Sequence, residues 1–367
     1  MNLERKKARN IGFYFGAIAA LSLSISSFAQ DASAENKSIK ALLPVKVITE
    51  SFSPYTVAKE LGYFTEEGLD VELVAVGGSN EVAVAIASGV GDIGAASPGQ
   101  AIIGMQPPQD LNVKYFFETN YRSIWTVTVL PDSPIQTTAD LKGKRLGVAA
   151  LGSAGMNFGQ AIAAEAGLDK DRDITFISVG SGAQPIQALQ SNAVDALVFS
   201  SNETAKFEAN GFDIRYVDVG EGFASFPDVG LLAQREKLEN DRDILVGFSR
   251  AVAKGYLFTM ENPEAAVKIT WDQYPESLPR NMSEEDALRS GVIVNQRRME
   301  IWSSTKVDKL GEFVVADWER LIKYMTDQGL IKTDLPIERV LTNEFIDEIN
   351  DFDQDAIKTQ AKNYVAK

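Results

Sequence analysis

A stretch that occurs twice, about a hundred residues apart, constrains the fold of this chain more than any other feature. Residues 85–97 read AIASGVGDIGAAS and residues 188–201 read ALQSNAVDALVFSS, and a shift of 103 positions superposes Asp92 on Asp195 and Ser97 on Ser200. Each copy reads as the end of a helix, a tight turn, an acidic residue and a short apolar strand that ends on a hydroxyl residue. A unit built twice predicts two similar lobes.

The rest of the chain alternates short apolar runs with helical periodicity, and its C-terminal half is almost wholly helical. This pattern is typical of mostly parallel sheets covered by helices on both faces. Because 367 residues exceed what one core usually supports, two lobes are expected. We predict an α/β protein with lobe 1 at 40–128 plus 235–367 and lobe 2 at 129–234. Two crossings, near 126–133 and 228–234, would join the lobes beside a ligand cleft.

The N-terminal segment has the pattern of a secretory signal. Four basic residues among the first nine precede an apolar and small-residue run at 11–23, which is short for a membrane span. We predict a signal peptide at 1–34, cleaved after Ala29 or Ala34, and a soluble protein exported to the periplasm. A retained N-terminal anchor is the alternative.

Composition excludes several function classes. The chain has no cysteine, which excludes disulfides, lipid-modified cysteine and thiolate metal sites, and no histidine, the commonest general base. A formal net charge of −15 makes nucleic acid an unsuitable partner. The acidic clusters match no calcium loop and the glycine patterns lack a dinucleotide fingerprint, so we predict no metal and no cofactor.

Five stretches taken in order resemble a known family. They are SFSPYTVAKELGYFTEEGLDVELV, ASGVGDIGAASPG, ADLKGKRLGV, LGSAGMNFGQAIAAEAGL and NAVDALV. Together they resemble the solute-binding proteins of bacterial ABC importers of the nitrate, sulfonate, taurine and thiamine-pyrimidine-precursor group, over essentially the whole chain after the signal. The resemblance implies a type II periplasmic binding fold, a monomer whose two lobes close on one small solute and present it to a membrane permease.

Two other functions stay open beside an importer component. The eukaryotic thiamine-pyrimidine synthase shares the fold, but its chemistry consumes a histidine of its own and uses a cysteine-rich iron site. Since this chain has neither residue, we predict that it is not an enzyme. A receptor that hands its solute to a chemoreceptor or sensor kinase is the remaining alternative.

Candidate ligand-binding residues of lobe 1 follow strand ends, where open α/β sheets bind ligands. Ser51 offers a hydroxyl, while Phe52 and Tyr55 offer flat faces to a planar solute or else pack in the core. Ser97 ends a strand and opens the next helix. By the same reasoning, Asp92 and Asp195 start their strands and are interpreted as turn residues.

Beyond the next strand end, Asn120, Tyr121 and Arg122 are further candidates. The Arg122 guanidinium could pair with a carboxylate group of the solute, because its donors match a carboxylate bidentately. A surface arginine is the alternative interpretation.

Lobe 2 offers two helix starts, whose free N–H groups can bind an anionic or carbonyl oxygen. Plain N-caps are the alternative. The residues are Gly152, Ser153 and Ala154 at the first start, and Ser200, Ser201 and Asn202 at the second. Sulfonate-binding relatives often carry a longer polar run at the first start, whereas this chain continues there as Ala154, Gly155 and Met156. This difference favours a pyrimidine or an aromatic carboxylate over a sulfonate as the solute.

Overall fold

Two mixed sheets of five strands each organise the protein in a computed structural model. The structure describes residues 36–151, 153–169, 171–280, 282–303, 307–333 and 335–366. The predicted signal peptide, 1–34, and Gly152 lie outside the described residues. The strands are β1 Lys37–Leu43, β2 Leu69–Ala75, β3 Ile93–Ala96, β4 Val113–Glu118, β5 Trp125–Val129, β6 Lys144–Val148, β7 Ile174–Ser178, β8 Ala196–Ser200, β9 Arg215–Tyr216 and β10 Gly230–Gln234.

Helices follow most strands and fill the C-terminal part. They are α1 Ser53–Glu60, α2 Tyr63–Glu66, α3 Ser79–Ala87, α4 Pro98–Gly104, α5 Ala154–Glu165, α6 Gln184–Gln190, α7 Ser201–Ala209, α8 Glu221–Ala224, α9 Arg235–Asn240, α10 Arg242–Glu261, α11 Pro263–Gln273, α12 Glu284–Trp302, α13 Val315–Asp327, α14 Ile337–Val340, α15 Ile346–Ile349 and α16 Gln354–Asn363. Short 3-10 helices lie at Glu50–Phe52, Thr138–Leu141 and Pro275–Ser277. None of the described helices is both long enough and apolar enough to span a bilayer.

The two sheets have the same topology. The first has the order β2-β1-β3-β10-β4 and the second the order β7-β6-β8-β5-β9. In each, three parallel strands meet an antiparallel one, β10 in the first sheet and β5 in the second. The prediction of two α/β lobes is confirmed, and we use lobe 1 and lobe 2 for the first and second sheet with the helices packed on each.

The repeated sequence unit occupies equivalent places in the two sheets. The Asp92 carboxylate accepts the backbone N–H of Lys40 at 2.8 Å, and the Asp195 carboxylate accepts that of Arg145 at 2.8 Å. Each aspartate therefore fastens the start of its strand to the central parallel strand. The strands that follow, β3 and β8, are buried along their whole length, which explains their unbroken apolar sequence.

Two crossings connect the sheets, at residues 119–124 and 217–229. The predicted boundaries differ from the sheet membership at both. Residues 125–128, expected in lobe 1, pair with β8 in the second sheet, and residues 230–234, expected in lobe 2, pair with β3 in the first. A short apolar strand fits the interior of either sheet equally well, so its sequence does not say which sheet it joins.

The C-terminal helices pack mainly on lobe 1 and extend to lobe 2. Helix α10 packs against α1 and α16. Helix α13 buries Trp318 against Tyr115 of β4, with ring centroids 4.9 Å apart, while Tyr324 one turn and a half later contacts Phe223 of lobe 2 at 5.3 Å. The helical C-terminal half is thus confirmed, and it braces both lobes.

Candidate functional site

A small buried cavity lies where the first 3-10 helix, the two crossings and α12 meet. Its volume is about 10 Å³, room for little more than one water. Eight residues line it, and none of them is acidic. They are Ser51, Phe52, Tyr55, Thr119, Asn120, Val229, Arg298 and Trp302.

The 3-10 helix Glu50–Phe52 is fixed by bonds to its backbone. The Glu50 carbonyl accepts from the Ser53 hydroxyl at 2.8 Å and from the Asn295 side chain of α12 at 2.9 Å. These bonds hold Phe52 and Tyr55 in a tilted pair with centroids 6.1 Å apart. The cavity therefore has a rigid aromatic wall.

One face of α12 supplies the polar wall. Asn295, Arg298 and Trp302 follow each other at spacings of three and four residues, so they project on the same side of the helix. All three are buried. The Arg298 guanidinium lies 5.9 Å from the centre of the Phe52 ring, a cation–π distance. This places a full positive charge against the aromatic wall.

The crossings form the third wall and are bonded to each other. The backbone N–H groups of Thr119 and Asn120 both donate to the Val229 carbonyl at 2.9 Å. The Asn120 side chain is satisfied when its nitrogen donates to the Thr119 carbonyl at 3.0 Å and its oxygen accepts from Arg298 Nη1 at 3.1 Å. The first crossing thus positions the Asn120 amide oxygen to accept a hydrogen bond from the Arg298 guanidinium.

Asp228 joins both crossings to lobe 1. Its buried carboxylate accepts the Ser97 hydroxyl at 2.5 Å and the Ile124 backbone N–H at 3.1 Å, and its own N–H donates to the Asn120 carbonyl at 3.0 Å. Burial raises the pKa of Asp228, and the donated hydrogen bonds and the charge of Arg298 partly oppose that rise. The Asp228 carboxylate links the two crossings to each other and to lobe 1, and it is not part of the cavity wall.

Several polar atoms at the site have no hydrogen-bond partner among the described residues. They are Ser51 Oγ and Trp302 Nε1 in the cavity wall, Asn295 Oδ1 on the same face of α12, and Ser201 Oγ at the start of α7. Buried polar groups are normally bonded, because an unmade bond costs about 1–3 kcal/mol. Such atoms at a cavity indicate a place where a ligand or water completes the bonding.

The structure brings four of the predicted lobe 1 residues into the cavity wall: Ser51, Phe52, Tyr55 and Asn120. Tyr121, by contrast, is turned into the core, where its hydroxyl accepts the Gly311 N–H at 3.0 Å and burial raises its pKa. The Ser97 hydroxyl is directed to Asp228. Arg122 lies at the surface in an ion pair with Glu221 at 3.0 Å. These three side chains do not line the cavity.

The predicted lobe 2 residues lie at the starts of α5 and α7, outside the cavity wall. Ser153 caps α5 by accepting the Met156 N–H at 3.3 Å, and Ala154 beside it is exposed. Ser200 donates to Glu203 at 2.9 Å. Ser201 is buried and Asn202 is half-buried.

Sequence reasoning missed half of the lining, namely Thr119, Val229, Arg298 and Trp302. A signal for two of them was present in α12. An arginine and a tryptophan four residues apart share one helix face, and a charged residue on a buried face is unusual unless it is paired or binds a ligand.

The lobes touch directly through α7 and α12. Arg297 of α12 pairs with Glu208 of α7 at 3.1 Å and donates to the Tyr216 hydroxyl at 2.9 Å. Lys206 of α7 lies 3.8 Å from the buried Glu50 of lobe 1. In this structure charged side chains of α7 therefore join lobe 2 to lobe 1 beside the cavity.

The architecture defines the class of protein. Two equivalent α/β lobes with two crossings form the periplasmic-binding-protein fold. Among solved structures, the alkanesulfonate-binding protein SsuA from Xanthomonas axonopodis pv. citri, bound to MOPS, superposes with a TM-score of 0.62 at 17% identity, over 84% of this chain and 99% of that one.

Sequence comparison places the chain within that class. The NMT1/THI5-like family model matches residues 49–266, more than half of the 367 residues, and the chain belongs to this family. The riboflavin-binding protein RibY of Chloroflexus aurantiacus is 23% identical over 310 residues, covering 80% of this chain and 82% of the relative.

One relative bears the name of an enzyme. The 4-amino-5-hydroxymethyl-2-methylpyrimidine phosphate synthase of Legionella pneumophila is 21% identical over 315 residues, covering 80% of this chain and 88% of the relative. Histidine and cysteine are both absent from the present sequence. In the described part of the chain, no group of three or more acidic side chains is placed to hold a metal ion.

Proposed function

We propose that this protein is the periplasmic solute-binding component of an ABC importer, exported by the signal at 1–34, which binds one small solute between its lobes and delivers it to a membrane permease. The observation that carries the proposal is the cavity where lobe 1, the crossings and α12 meet, whose wall presents the Ser51 hydroxyl and the Trp302 indole N–H, both unpaired in the described part of the chain, beside the Arg298 guanidinium. The similarity to a riboflavin-binding protein and, in fold, to an alkanesulfonate-binding protein supports a binding role.

In this proposal lobe 1 makes the first contacts, through Ser51, Phe52, Tyr55 and Asn120. The cavity of about 10 Å³ is too small for a solute, so binding requires the crossings that line it to shift as the lobes move apart. When the lobes close again, the starts of α5 and α7 approach the solute. The predicted lobe 2 residues, Gly152, Ser153, Ala154, Ser200, Ser201 and Asn202, then become the second set of contacts.

A catalytic role is disfavoured by the chemistry of the wall. No histidine or cysteine exists to act as base or nucleophile, and no acidic residue lines the cavity. A receptor returns its solute unchanged, whereas an enzyme does not. The identity of the molecule released after incubation therefore separates the two roles.

The test is retention of a small molecule. The exported protein is incubated with a small-molecule extract of the source cells, freed of unbound compounds and measured by native mass spectrometry. We expect one retained molecule per chain, released unchanged on denaturation, and a raised melting temperature, since a ligand at 100 times its dissociation constant adds about 2.7 kcal/mol. A protein that retains nothing from the extract, and whose melting temperature the extract leaves unchanged, would refute the receptor function.

The importer role has its own test. Once the retained molecule is known, its uptake is measured in cells with and without this gene. Uptake that requires the gene supports delivery to a permease, whereas unchanged uptake with a lost chemotactic or transcriptional response would assign the protein to a sensor instead.

A further inference from the structure

The cavity wall is rich in hydrogen-bond donors. Ser51 and Trp302 are 6% and 4% exposed, and neither the Ser51 hydroxyl nor the Trp302 indole N–H has a partner among the described residues. The Arg298 guanidinium, 8% exposed, carries five N–H groups, of which one donates to Asn120. Donors from three side chains therefore border one small cavity, and one amide oxygen without a partner in the described part of the chain, Asn295 Oδ1, lies on the same face of α12.

Arg298 has a carboxylate nearby but not as a hydrogen-bond acceptor. The Asp228 carboxylate acts on it electrostatically, while its oxygens accept from Ser97 and Ile124. Burial lowers the pKa of Arg298, because taking a guanidinium out of water disfavours its charged form. A buried cation is tolerated when a well-placed anion compensates it.

We propose, on the basis of the receptor function above, that the solute is a planar monoanion, with a carboxylate or sulfonate group held by Arg298, Ser51 and Trp302. The oxygens of such a group accept the convergent donors, and its charge balances the guanidinium. Its flat part lies against the aromatic wall formed by Phe52 and Tyr55. The cavity is the part of the binding site that receives the anionic group of the solute.

The charged end of the proposed site lies on one helix. Arg298 and Trp302 both lie on α12, beyond residue 266, where the match to the family model ends. Residues within the matched range provide the aromatic wall, and α12 adds the charge. Solute charge is therefore set by α12.

The test compares three probes of nearly the same shape: benzoate, benzenesulfonate and the neutral benzamide. Calorimetric titration of the exported protein should show binding of one or both anions, and the tighter of the two identifies the anionic group. Benzamide should bind at least about 30-fold more weakly than the tighter anion. Equal binding of benzamide and benzoate, or no binding of either anion, would overturn the inference.

Variants of α12 identify the residue responsible. Arg298→Met should weaken anion binding by about 30-fold or more, and Arg298→Lys should recover part of it, because the charge returns without the bidentate geometry. The matched control is Arg289→Met, an exposed arginine of the same helix paired with Asp286, which should change anion affinity by less than about 2-fold. Unchanged anion affinity in Arg298→Met contradicts the assignment.

A second measurement separates binding from folding. Arg298→Met removes the donor to Asn120 and a cation that acts on the buried Asp228, so the melting temperature of the solute-free variant should fall. Anion affinity is therefore compared at a temperature at which circular dichroism shows both proteins fully folded, so that a loss of affinity in the folded variant reports binding and not unfolding. A neutral molecule from the cell extract that both wild type and Arg298→Met retain would leave the receptor function standing and remove the anion inference.

Discussion

Lobe 1 and lobe 2 share one topology. Their sheets share the same strand order, and each uses an aspartate, Asp92 or Asp195, to accept a backbone N–H of the central strand at 2.8 Å. Each strand after the aspartate ends on a serine that opens a helix, Ser97 or Ser200. The sequence repeat corresponds to this shared framework.

The two lobes differ in what these equivalent positions contact. Ser97 of lobe 1 donates to Asp228 in a crossing, whereas Ser200 of lobe 2 donates to Glu203 in its own helix. The cavity wall is formed by lobe 1, the crossings and α12, and lobe 2 contributes no lining residue among those described. In the function proposed above, lobe 1 is therefore the binding half of the molecule and lobe 2 covers it.

The largest effect on stability is expected where a helix packs closely on backbone, and each lobe has one such place. A Cβ on Gly255 of α10 would lie 2.0 Å from the Pro54 carbonyl oxygen in lobe 1, while one on Gly155 of α5 would lie 2.9 Å from the Val198 carbonyl oxygen in lobe 2. Overpacking against backbone typically costs 1–3 kcal/mol and sometimes more. We expect Gly255→Ala to lower the free energy of unfolding by about 3 kcal/mol or more, and Gly155→Ala by about 1–2 kcal/mol.

Urea unfolding of both variants measures the difference. Gly99→Ala in α4 is the control, since a Cβ there meets nothing within 4 Å. Its stability should stay equal or rise slightly, because alanine restricts the unfolded chain. A Gly255→Ala protein as stable as the Gly99→Ala protein would show that α10 does not need close contact with α1.

The same contacts explain how far the sequence alone could lead. The strands, the C-terminal helices and the Thr137 capping box with Asp140 were predictable, because each depends on residues near one another in the chain. Ser51, Phe52, Tyr55 and Asn120 were found because they follow strand ends, where α/β sheets bind ligands. The approach of Arg298 to Phe52 joins residues far apart in sequence, and no local pattern records which helix closes a cavity.

A second prediction compares the two strand-end serines. Ser97→Ala removes a hydrogen bond to the buried carboxylate of Asp228, so it should lower stability by about 2 kcal/mol at pH 7. Ser200→Ala removes a bond to the half-buried Glu203 and should cost about 0.5–1 kcal/mol. Urea unfolding of both variants gives the comparison. Equal losses would mean that the hydrogen bond from Ser97 to the Asp228 carboxylate stabilises the protein no more than an ordinary partly exposed one.

The pH dependence of the Ser97 variant checks the cause. Burial raises the pKa of Asp228, so the folded state holds its proton at pH values above those at which the unfolded chain releases it. As pH falls through the folded pKa, the carboxyl group becomes neutral and needs fewer donors. The loss in Ser97→Ala relative to wild type should therefore shrink between pH 7 and pH 4, and a loss that grows on acidification would exclude this explanation.

A third prediction concerns the contact between the lobes. The Arg297–Glu208 pair is partly exposed, with side chains 28% and 31% accessible, so it should contribute about 0.5–1 kcal/mol to closure. Arg297→Gln should therefore shift the open-to-closed ratio of the solute-free protein up to about 5-fold. Small-angle scattering would show a larger mean radius. Arg289→Gln, which breaks an exposed pair within α12, is the control and should leave the radius unchanged.

The smallest effect is expected at the surface of a crossing and tests whether exposed contacts couple the lobes at all. Arg122 pairs with Glu221 near lobe 2 at 3.0 Å, but the two side chains are 42% and 73% accessible. Solvent screens such a pair, so Arg122→Ala should change stability by no more than about 0.5 kcal/mol and leave solute affinity within about 2-fold. Asn120→Ala, two residues earlier on the same crossing, should weaken solute binding by about 5-fold or more, because it removes a buried amide that bonds Arg298. Should Arg122→Ala lower affinity more than Asn120→Ala, the original interpretation of Arg122 as a direct ligand contact would be restored, and the binding half would have to include the outer face of the crossing.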